Sequence, residues 1–210
     1  MTPTEKIKVM VVDDHPLMRV GIAAIINARP DMSVVGQAES GEEAVALFSK
    51  CKPDITLMDL RLPGKMGGVE AIAAIHASFP RARFIVVTTY EGDEDIHRAL
   101  EAGAQGYIIK GMPYQTLVEA LQRVHAGGRF LPPPVARALA SRMPDSDLSS
   151  RELEVLRLLG AGKSNRDIGA ELGITEATVK SHVSTILMRL NVSDRTQAVV
   201  SALQRGLIHL

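Results

Sequence analysis

The chain has 210 residues, 46% of them hydrophobic, and its acidic and basic side chains balance to a formal net charge of zero. This length allows one domain or two modest ones with packed cores. The sequence has no run of about 18 apolar residues, which argues against a membrane span, and its first residues lack the pattern of a signal peptide. The single cysteine, Cys51, cannot form an internal disulfide, so we expect a reducing, cytoplasmic environment.

The charges are unevenly distributed along the chain. Residues 1–128 contain 13 Lys and Arg against 16 Asp and Glu, whereas residues 129–210 contain 11 against 8. An acidic half followed by a mildly basic half indicates two functions.

From Lys8 to Gly127, short β-branched runs alternate with helical stretches. The runs begin near Val9, Val34, Ile55, Phe84 and Tyr107, and helices are predicted near residues 17–28, 41–50, 69–78, 93–103 and 114–126. This alternation predicts an α/β domain over residues 7–127, with a five-stranded parallel sheet doubly wound by helices on both faces.

Three prolines, Pro132–Pro134, cannot continue a helix or a central strand, so we place a linker at residues 128–147, with a short helix over 135–143. From Leu148 the pattern changes to four short helices without strands, which predicts an all-α domain over residues 148–210. Ser149 and Glu152 fit a capping box before the first helix, and Thr175 is the expected N-cap of the third. Helix, glycine-containing turn, helix is the helix-turn-helix pattern.

Polar side chains follow four of the predicted strands. Asp13 and Asp14 follow the first, Asp59 the third, Thr88 the fourth and Lys110 the fifth. Because parallel strands end at the same edge of a sheet, we expect these side chains to converge where such sheets bind ligands.

The clustered carboxylates are unfavourable unless a cation or protons relieve their repulsion. At an effective dielectric constant of about 20, two carboxylates ~4 Å apart repel by roughly 4 kcal/mol. Mg²⁺ prefers such hard oxygen ligands together with waters and phosphate oxygens. A carboxylate can also act as a nucleophile and form an aspartyl phosphate. Asp59 is the best candidate because it stands alone at its strand end, with Lys110 to neutralise the phosphate and Thr88 to donate a hydrogen bond.

Simpler interpretations exist for the parts of this cluster. Asp13-Asp14 before Pro16 fits a helix N-cap, and a strand-end lysine is commonly a surface residue. One alternative function is a phosphohydrolase with an aspartyl nucleophile, but such enzymes place a second Asp two residues later, where this chain has Arg61. The other is a dimerisation scaffold that is never phosphorylated, against which the complete set of polar residues argues.

Residues 7–126 resemble the receiver domain of two-component response regulators. The resemblance rests on Val-Val-Asp13-Asp14-His-Pro, Leu-Met-Asp59-Leu-Arg-Leu-Pro-Gly, Val-Val-Thr88-Thr-Tyr and Gly-Ala-Gln-Gly-Tyr107-Ile-Ile-Lys110. It implies that Asp59 is the phosphoacceptor for a partner sensor histidine kinase. It also implies a Mg²⁺ site at Asp13, Asp14, Asp59 and the backbone carbonyl of Arg61, a switch pair formed by Thr88 and Tyr107, and contact of Lys110 with the phosphoryl oxygens.

Two features depart from the usual receiver pattern. The loop over residues 63–70 is one residue longer than usual, with Gly67 where an acidic or polar residue is common. Lys110 is followed by Gly111, with Pro113 three residues on. Both changes affect loop geometry and the expected lifetime of the phosphoryl group, and neither removes a reacting group.

Residues 148–207 resemble the LuxR-type helix-turn-helix domain, through Leu-Ser-Ser-Arg-Glu-Leu-Glu-Val-Leu, Lys163-Ser-Asn165-Arg-Asp-Ile and Ala-Thr178-Val-Lys180-Ser-His182-Val. Together the two halves resemble NarL/FixJ-type response regulators, which implies a DNA-binding transcription factor rather than an enzyme. Since a recognition helix enters the major groove with its front, Lys180 is the first candidate for a base contact, to guanine. Ser181 and Ser184 are further candidates, and the expected phosphate or framework contacts are Thr178, His182, Lys163, Asn165 and Arg189.

The second half has only a weak positive charge, so one copy is expected to bind double-stranded promoter DNA weakly. A homodimer on a two-fold site, with half-sites about one turn apart, would compensate for this. The last predicted helix has an apolar stripe that includes Ala198 and Leu203. We expect this stripe to pack against its own domain at some positions and against a partner copy at others.

Overall fold

The computed structural model describes residues 6–89, 93–141 and 148–208. These residues divide into two compact units: the first contains residues 6–89 and 96–136, and the second contains residues 148–208 with the segments 93–95 and 137–141. Among the described helices, none combines the length and the apolar character needed to cross a membrane.

The first unit is built on a sheet of five parallel strands. They are β1 Ile7–Val12, β2 Met32–Ala38, β3 Ile55–Met58, β4 Phe84–Thr88 and β5 Gly106–Ile109. The strand order is β2-β1-β3-β4-β5, and every adjacent pair is parallel. The predicted five-stranded parallel sheet is therefore confirmed.

Five helices follow the strands in alternation: α1 Pro16–Asn27, α2 Gly41–Cys51, α3 Gly68–Ser78, α4 Asp93–Glu101 and α5 Tyr114–His125. On one face of the sheet, alternate strand residues such as Val11 and Leu57 share a core with α1 and α5. On the other face, the Phe84 ring of β4 stacks on Phe48 of α2, with ring centroids 6.4 Å apart. Helices thus cover both faces, which explains why the strands are almost continuously apolar.

The strand order creates a crevice at one edge of the sheet. After β1 the chain pairs β2 on one side of β1, and then crosses to place β3 on the other side. In open α/β sheets, ligands bind at the carboxyl ends of strands where the order reverses in this way. In this chain the two strands at that point, β1 and β3, are followed by Asp13 and Asp59.

The chain that follows α5 returns to the sheet. Phe130, which the sequence placed in the linker, forms an isolated parallel bridge with Gly106 of β5 and packs in the core of the first unit. Helix α6 then spans Pro133–Ser141; it begins earlier than predicted because proline is well accommodated in the first turn of a helix. Residues 142–147 of the predicted linker lie outside the described residues.

Over the described residues 148–208 of the second unit, four helices enclose one apolar core: α7 Ser150–Gly160, α8 Asn165–Leu172, α9 Glu176–Leu190 and α10 Arg195–Gln204. The predicted all-α fold is confirmed. The predicted caps are also confirmed, because Ser149 and Glu152 form a complete capping box at α7 and Thr175 caps α9. The core side of α9 includes Val179, Ile186 and Leu190, as its spacing predicts.

Candidate functional site

Asp13 and Asp59 stand side by side at the carboxyl edge of the sheet. The Asp59 amide donates to the Val12 carbonyl at 2.9 Å, so the ladder between β1 and β3 continues into the loop after β3. Both aspartates are buried, with 1% and 2% of their surface exposed. The fold thus brings together two carboxylates that are 46 positions apart in the sequence.

Lys110 joins this pair from the end of β5. Its amide donates to the Thr88 carbonyl at 2.8 Å, which extends the pairing of β4 and β5 by one residue. Its Nζ donates to Asp59 Oδ2 at 2.5 Å and lies 2.8 Å from Asp13 Oδ2. One ammonium group therefore compensates two buried carboxylates.

Burial and the neighbouring charges shift the pKa values of Asp59 and Lys110. Burial raises the pKa of Asp59, because loss of solvation outweighs the stabilising hydrogen bond and charge of Lys110. Burial lowers the pKa of Lys110, but the carboxylates of Asp13 and Asp59 outweigh it, so the Lys110 pKa is raised overall. The lysine is consequently charged at neutral pH, and the ionised form of Asp59 carries a cost that a further cation would relieve.

His15 and Arg19, which the strand-end pattern does not include, also contact the cluster. His15 Nδ1 lies 2.7 Å from Asp14 Oδ1 and 3.2 Å from Asp13 Oδ1, and the His15 amide donates to Asp13 Oδ1 at 2.9 Å. Arg19, one turn into α1, donates from Nη1 to the Asp13 carbonyl at 2.6 Å. His15 directly follows the two aspartates in the sequence, and this position could have indicated its contact with them. Nothing in the sequence indicated the contact of Arg19.

The residues present fit a hard divalent cation. Oxygen atoms of Asp13, Asp14 and Asp59, with a ring nitrogen of His15, lie within 4.8 Å of one another. Asp13 Oδ2 and Asp14 Oδ1 are buried and accept no aligned hydrogen bond from the described residues, although Lys110 and His15 approach them at ion-pair distances. Carboxylate oxygens in this arrangement match the preference of Mg²⁺.

Thr88 and Tyr107 lie on adjacent strands, β4 and β5. Thr88 is 1% exposed and Tyr107 is fully buried, with 0% exposed. In the β4–β5 register Thr88 pairs with Ile109, while Tyr107 pairs with Val86, two residues earlier on each strand. The Tyr107 ring is thus directed inward.

The loop between β3 and α3 passes close over Asp59. The Arg61 amide donates to Asp59 Oδ1 at 3.2 Å. A Cβ atom added to Gly68 would lie 2.0 Å from the Asp59 carbonyl oxygen, so only glycine fits there. The longer part of the loop is held at the start of α2, where the Lys65 amide donates to Glu42 Oε1 at 3.0 Å. The role of the Arg61 carbonyl stays a prediction.

In the second unit, the front of α9 presents polar side chains opposite its core side. Thr175 Oγ1 accepts from the Thr178 amide at 3.1 Å, which begins the helix. Lys180 lies one turn along, with 65% of its side chain exposed, and pairs with Glu176 at 3.0 Å. An exposed i,i+4 pair of this kind contributes about 0.3–0.5 kcal/mol, so Lys180 can readily exchange this partner for another anion.

The other candidates on α9 differ in their accessibility. Thr178, Ser181 and Ser184 are exposed, whereas His182 is partly buried. The Ser184 hydroxyl donates to the Lys180 carbonyl at 3.0 Å, one turn back along the same helix. These side chains therefore offer short polar groups around a single long cation, Lys180.

The remaining candidates have partners within the second unit. Arg189 Nη1 donates to Glu152 Oε2 at 2.6 Å, and Glu152 is 5% exposed, which favours a framework role for this arginine. Lys163 Nζ pairs with Glu171, and its carbonyl accepts from Arg195 at 2.9 Å. Asn165 is the first residue of α8 and is partly buried.

Comparisons with known proteins match both units. A family model of the response regulator receiver domain matches residues 9–122, and a model of bacterial regulatory proteins of the luxR family matches residues 146–202. The response regulator protein VraR of Staphylococcus aureus (strain NCTC 8325 / PS 47) is 40% identical over 207 residues, which cover 96% of this chain and 99% of VraR. The transcriptional regulatory protein LiaR of Bacillus subtilis (strain 168) is 39% identical over 211 residues, covering 97% and 100%.

One of the solved structures that are similar to this chain is a complex with DNA. RcsB from Salmonella enterica serovar Typhimurium, bound to the promoter P1flhDC in the presence of the phosphomimetic BeF3⁻, is 27% identical, with a TM-score of 0.72 and coverage of 95% of this chain and 99% of RcsB. Two family models and full-length relatives thus agree with the α/β sheet and the helix-turn-helix unit. The chain belongs to the luxR family of DNA-binding two-component response regulators, and is a transcription factor of that family.

Proposed function

We propose that Asp59 accepts a phosphoryl group from a sensor histidine kinase, with Mg²⁺ held by Asp13, Asp14 and Asp59, and that this modification controls DNA binding. The observation that carries the proposal is the convergence of Asp13, Asp59 and Lys110 at the ends of three strands. Both carboxylates are buried and lie within ion-pair distance of the Lys110 ammonium, whose side chain is 11% exposed. His15 is placed to steady the Asp13 and Asp14 carboxylates.

The chemistry at Asp59 is a phosphoryl transfer. One carboxylate oxygen of Asp59 forms a bond to phosphorus as the bond between phosphorus and the donor's histidine nitrogen breaks, which leaves an acyl phosphate and a neutral imidazole. Mg²⁺ held by Asp13, Asp14 and Asp59 would neutralise charge on the phosphoryl oxygens. Lys110 is already within 2.5 Å of Asp59 Oδ2, so a small movement lets its ammonium pair with a phosphoryl oxygen instead.

The new charge is sensed by the neighbouring strands. Thr88, at the end of β4, is proposed to donate its hydroxyl to a phosphoryl oxygen. Tyr107, buried on β5, then moves into the space that the Thr88 side chain leaves. The result is an altered surface at β4 and β5, which biases the protein between two states.

The DNA-binding part of the proposal rests on α9. Lys180, exposed at the front of this helix, contacts guanine in the major groove, and Ser181 and Ser184 contact neighbouring base edges. Thr178, His182, Lys163 and Asn165 contact the phosphate backbone or hold the helix against it. The DNA complex of RcsB supports this orientation by analogy.

A homodimer is proposed as the DNA-bound form. On α10, Ala198 and Ala202 are fully buried, whereas Val200 and Leu203 are 46% and 36% exposed. The helix thus contributes to its own core and leaves apolar side chains for a second copy. Two copies on half-sites about one helical turn apart would supply the affinity that one weakly basic domain lacks.

The test uses Asp59→Asn and wild type, each incubated with acetyl phosphate and Mg²⁺. Phosphate-affinity electrophoresis should show a shifted band for the wild type alone, and the donor should raise DNA affinity for the wild type alone. Persistent labelling and enhancement in the variant would exclude Asp59. Unlabelled wild type that binds DNA equally with and without the donor would instead support the unphosphorylated scaffold.

A further inference from the structure

The segment after α5 is attached to the edge of the sheet by its main chain. Gly127 adopts a φ of 87°, which reverses the chain. The Phe130 amide then donates to the Gln105 carbonyl at 3.0 Å, and the Phe130 carbonyl accepts from the Tyr107 amide at 2.9 Å. Phe130 thus straddles Gly106 and pairs with both of its neighbours.

The side chain of Phe130 holds this attachment in place. It is 9% exposed and shares a core with Leu121 and Val124 of α5 and Ile108 of β5. Strand β5 is one of the two edge strands of the sheet, and an edge leaves main-chain groups available for pairing. Phe130 occupies part of that edge at the strand that carries Tyr107.

The same segment faces the loop that follows Lys110. A groove of about 610 Å³ has Met112, Pro113 and Thr116 on one wall and residues 129–133 on the other. The groove thus places the Phe130 segment beside the loop that follows Lys110.

We infer that Phe130 is the positioning residue that transmits the state of Tyr107 to the linker. The inference rests on the proposed function, in which phosphorylation of Asp59 moves Tyr107. Because the Tyr107 amide is bonded to the Phe130 carbonyl, a shift of β5 at Tyr107 either carries Phe130 with it or breaks this hydrogen bond. Either outcome changes the main chain two residues before Pro132.

The prolines that follow make the linker stiff enough to pass on a change in the main chain at Phe130. Pro132–Pro134 have fixed φ angles, and Pro133 and Pro134 already lie in the first turn of α6. A change of direction at Phe130 is therefore passed along the chain to α6, instead of being absorbed by flexible residues. The two main-chain hydrogen bonds form a discrete contact that can be made or broken, as a two-state coupling requires.

The first experiment measures hydrogen–deuterium exchange in the full-length wild type, with and without beryllofluoride and Mg²⁺. The expected result is a change in exchange of at least about threefold at the amides of both Tyr107 and Phe130, which Asp59→Asn abolishes. A change confined to residues near Asp59 and Tyr107, with residues 128–132 unaffected, would overturn the inference. No change anywhere, including near Asp59, would overturn the proposed function and the inference with it.

The second experiment compares Phe130→Ala, which loses the anchoring ring, with the conservative Phe130→Leu. Acetyl phosphate should label both to within about twofold of wild type, but the gain in DNA affinity should fall at least fivefold in Phe130→Ala and persist in Phe130→Leu. Leu121→Ala, which weakens the same core without touching the bridge, should retain the gain. Equal gains in Phe130→Ala and wild type, or an equal loss in Leu121→Ala, would show that Phe130 transmits nothing specific.

Discussion

Lys110 Nζ donates to Asp59 Oδ2 at 2.5 Å, so the proposed phosphoacceptor already has a cationic partner before any phosphoryl group arrives. The same ammonium lies 2.8 Å from Asp13 Oδ2. Lys110 thus serves two functions, since it offsets the repulsion between two buried carboxylates and is placed to pair with the phosphoryl group that follows. The two functions can be separated by experiment.

Replacement of Lys110 by Met should lower the free energy of unfolding by about 3 kcal/mol without Mg²⁺, because it leaves buried carboxylates without their partner. Saturating Mg²⁺ should recover most of this loss, since the cation replaces the missing charge. Urea denaturation with and without Mg²⁺ measures both effects. The control is Lys50→Met, at an exposed lysine of α2, which should change stability by less than about 0.5 kcal/mol.

Asp59→Asn should stabilise the unphosphorylated protein at neutral pH. Because burial raises the Asp59 pKa in the folded state, the folded protein holds this proton more tightly than the unfolded chain does. The contribution of Asp59 to the free energy of unfolding therefore falls as the pH rises from the unfolded pKa of this residue through its folded pKa. Above both pKa values, the ionised Asp59 destabilises the folded protein by the full amount. The variant should gain on the order of 1 kcal/mol at pH 7.

The pH dependence distinguishes this explanation from a general packing effect. Thermal unfolding of wild type and Asp59→Asn should converge as the pH falls below the unfolded pKa of Asp, about 3.9. A stability difference that is the same at acidic and neutral pH would contradict the role of Asp59 ionisation.

Arg189 and Glu152 form an ion pair in the second unit, in which the carboxylate is buried and the Arg189 side chain is 35% exposed. Arg189→Met should lower the stability of this unit by about 2 kcal/mol, because the buried Glu152 carboxylate loses a charged donor. Glu152→Gln in the same background should recover part of that loss, and a double-mutant cycle measured by urea denaturation gives the coupling. Arg157→Met, at an exposed arginine of α7, is the matched control and should be nearly neutral.

Arg189 is also informative about DNA binding. If Arg189 only supports the fold of the second unit, Arg189→Met should weaken DNA binding only to the extent that this unit unfolds. The DNA affinity of the folded protein should then depend on salt concentration as it does in the wild type. A reduced salt dependence at full folding would instead assign Arg189 to a phosphate contact.

Lys180→Ala should reduce affinity for the specific promoter by about 1–3 kcal/mol, with a smaller loss on unrelated DNA, because a base contact contributes to discrimination. Lys163→Ala should weaken binding to both DNAs by a similar factor and lower the salt slope by about 1, as expected for a phosphate contact. Fluorescence anisotropy with the two DNAs at several salt concentrations separates these patterns. Equal losses on both DNAs for Lys180→Ala would remove Lys180 from base recognition.

The sequence by itself determined which stretches of the two units form strands and which form helices. Continuous apolar runs and helical periodicity depend on neighbouring residues, and so does the capping box of Ser149 and Glu152. The strand-end positions of Asp13, Asp59 and Lys110 were also predictable, because parallel strands end at one edge whatever their order. The resemblance to the family rested on the motifs around these residues and around Lys180.

Only the tertiary structure decided which distant groups meet. Glu152 and Arg189 are 37 residues apart, and no local rule pairs them, since their contact depends on how α7 packs on α9. Phe130 looked like part of a proline-rich linker, yet its ring is buried and its main chain pairs with β5 because the glycine turn after α5 returns the chain to an open sheet edge. Packing and edge pairing are non-local, and the sequence specifies them only through the completed fold.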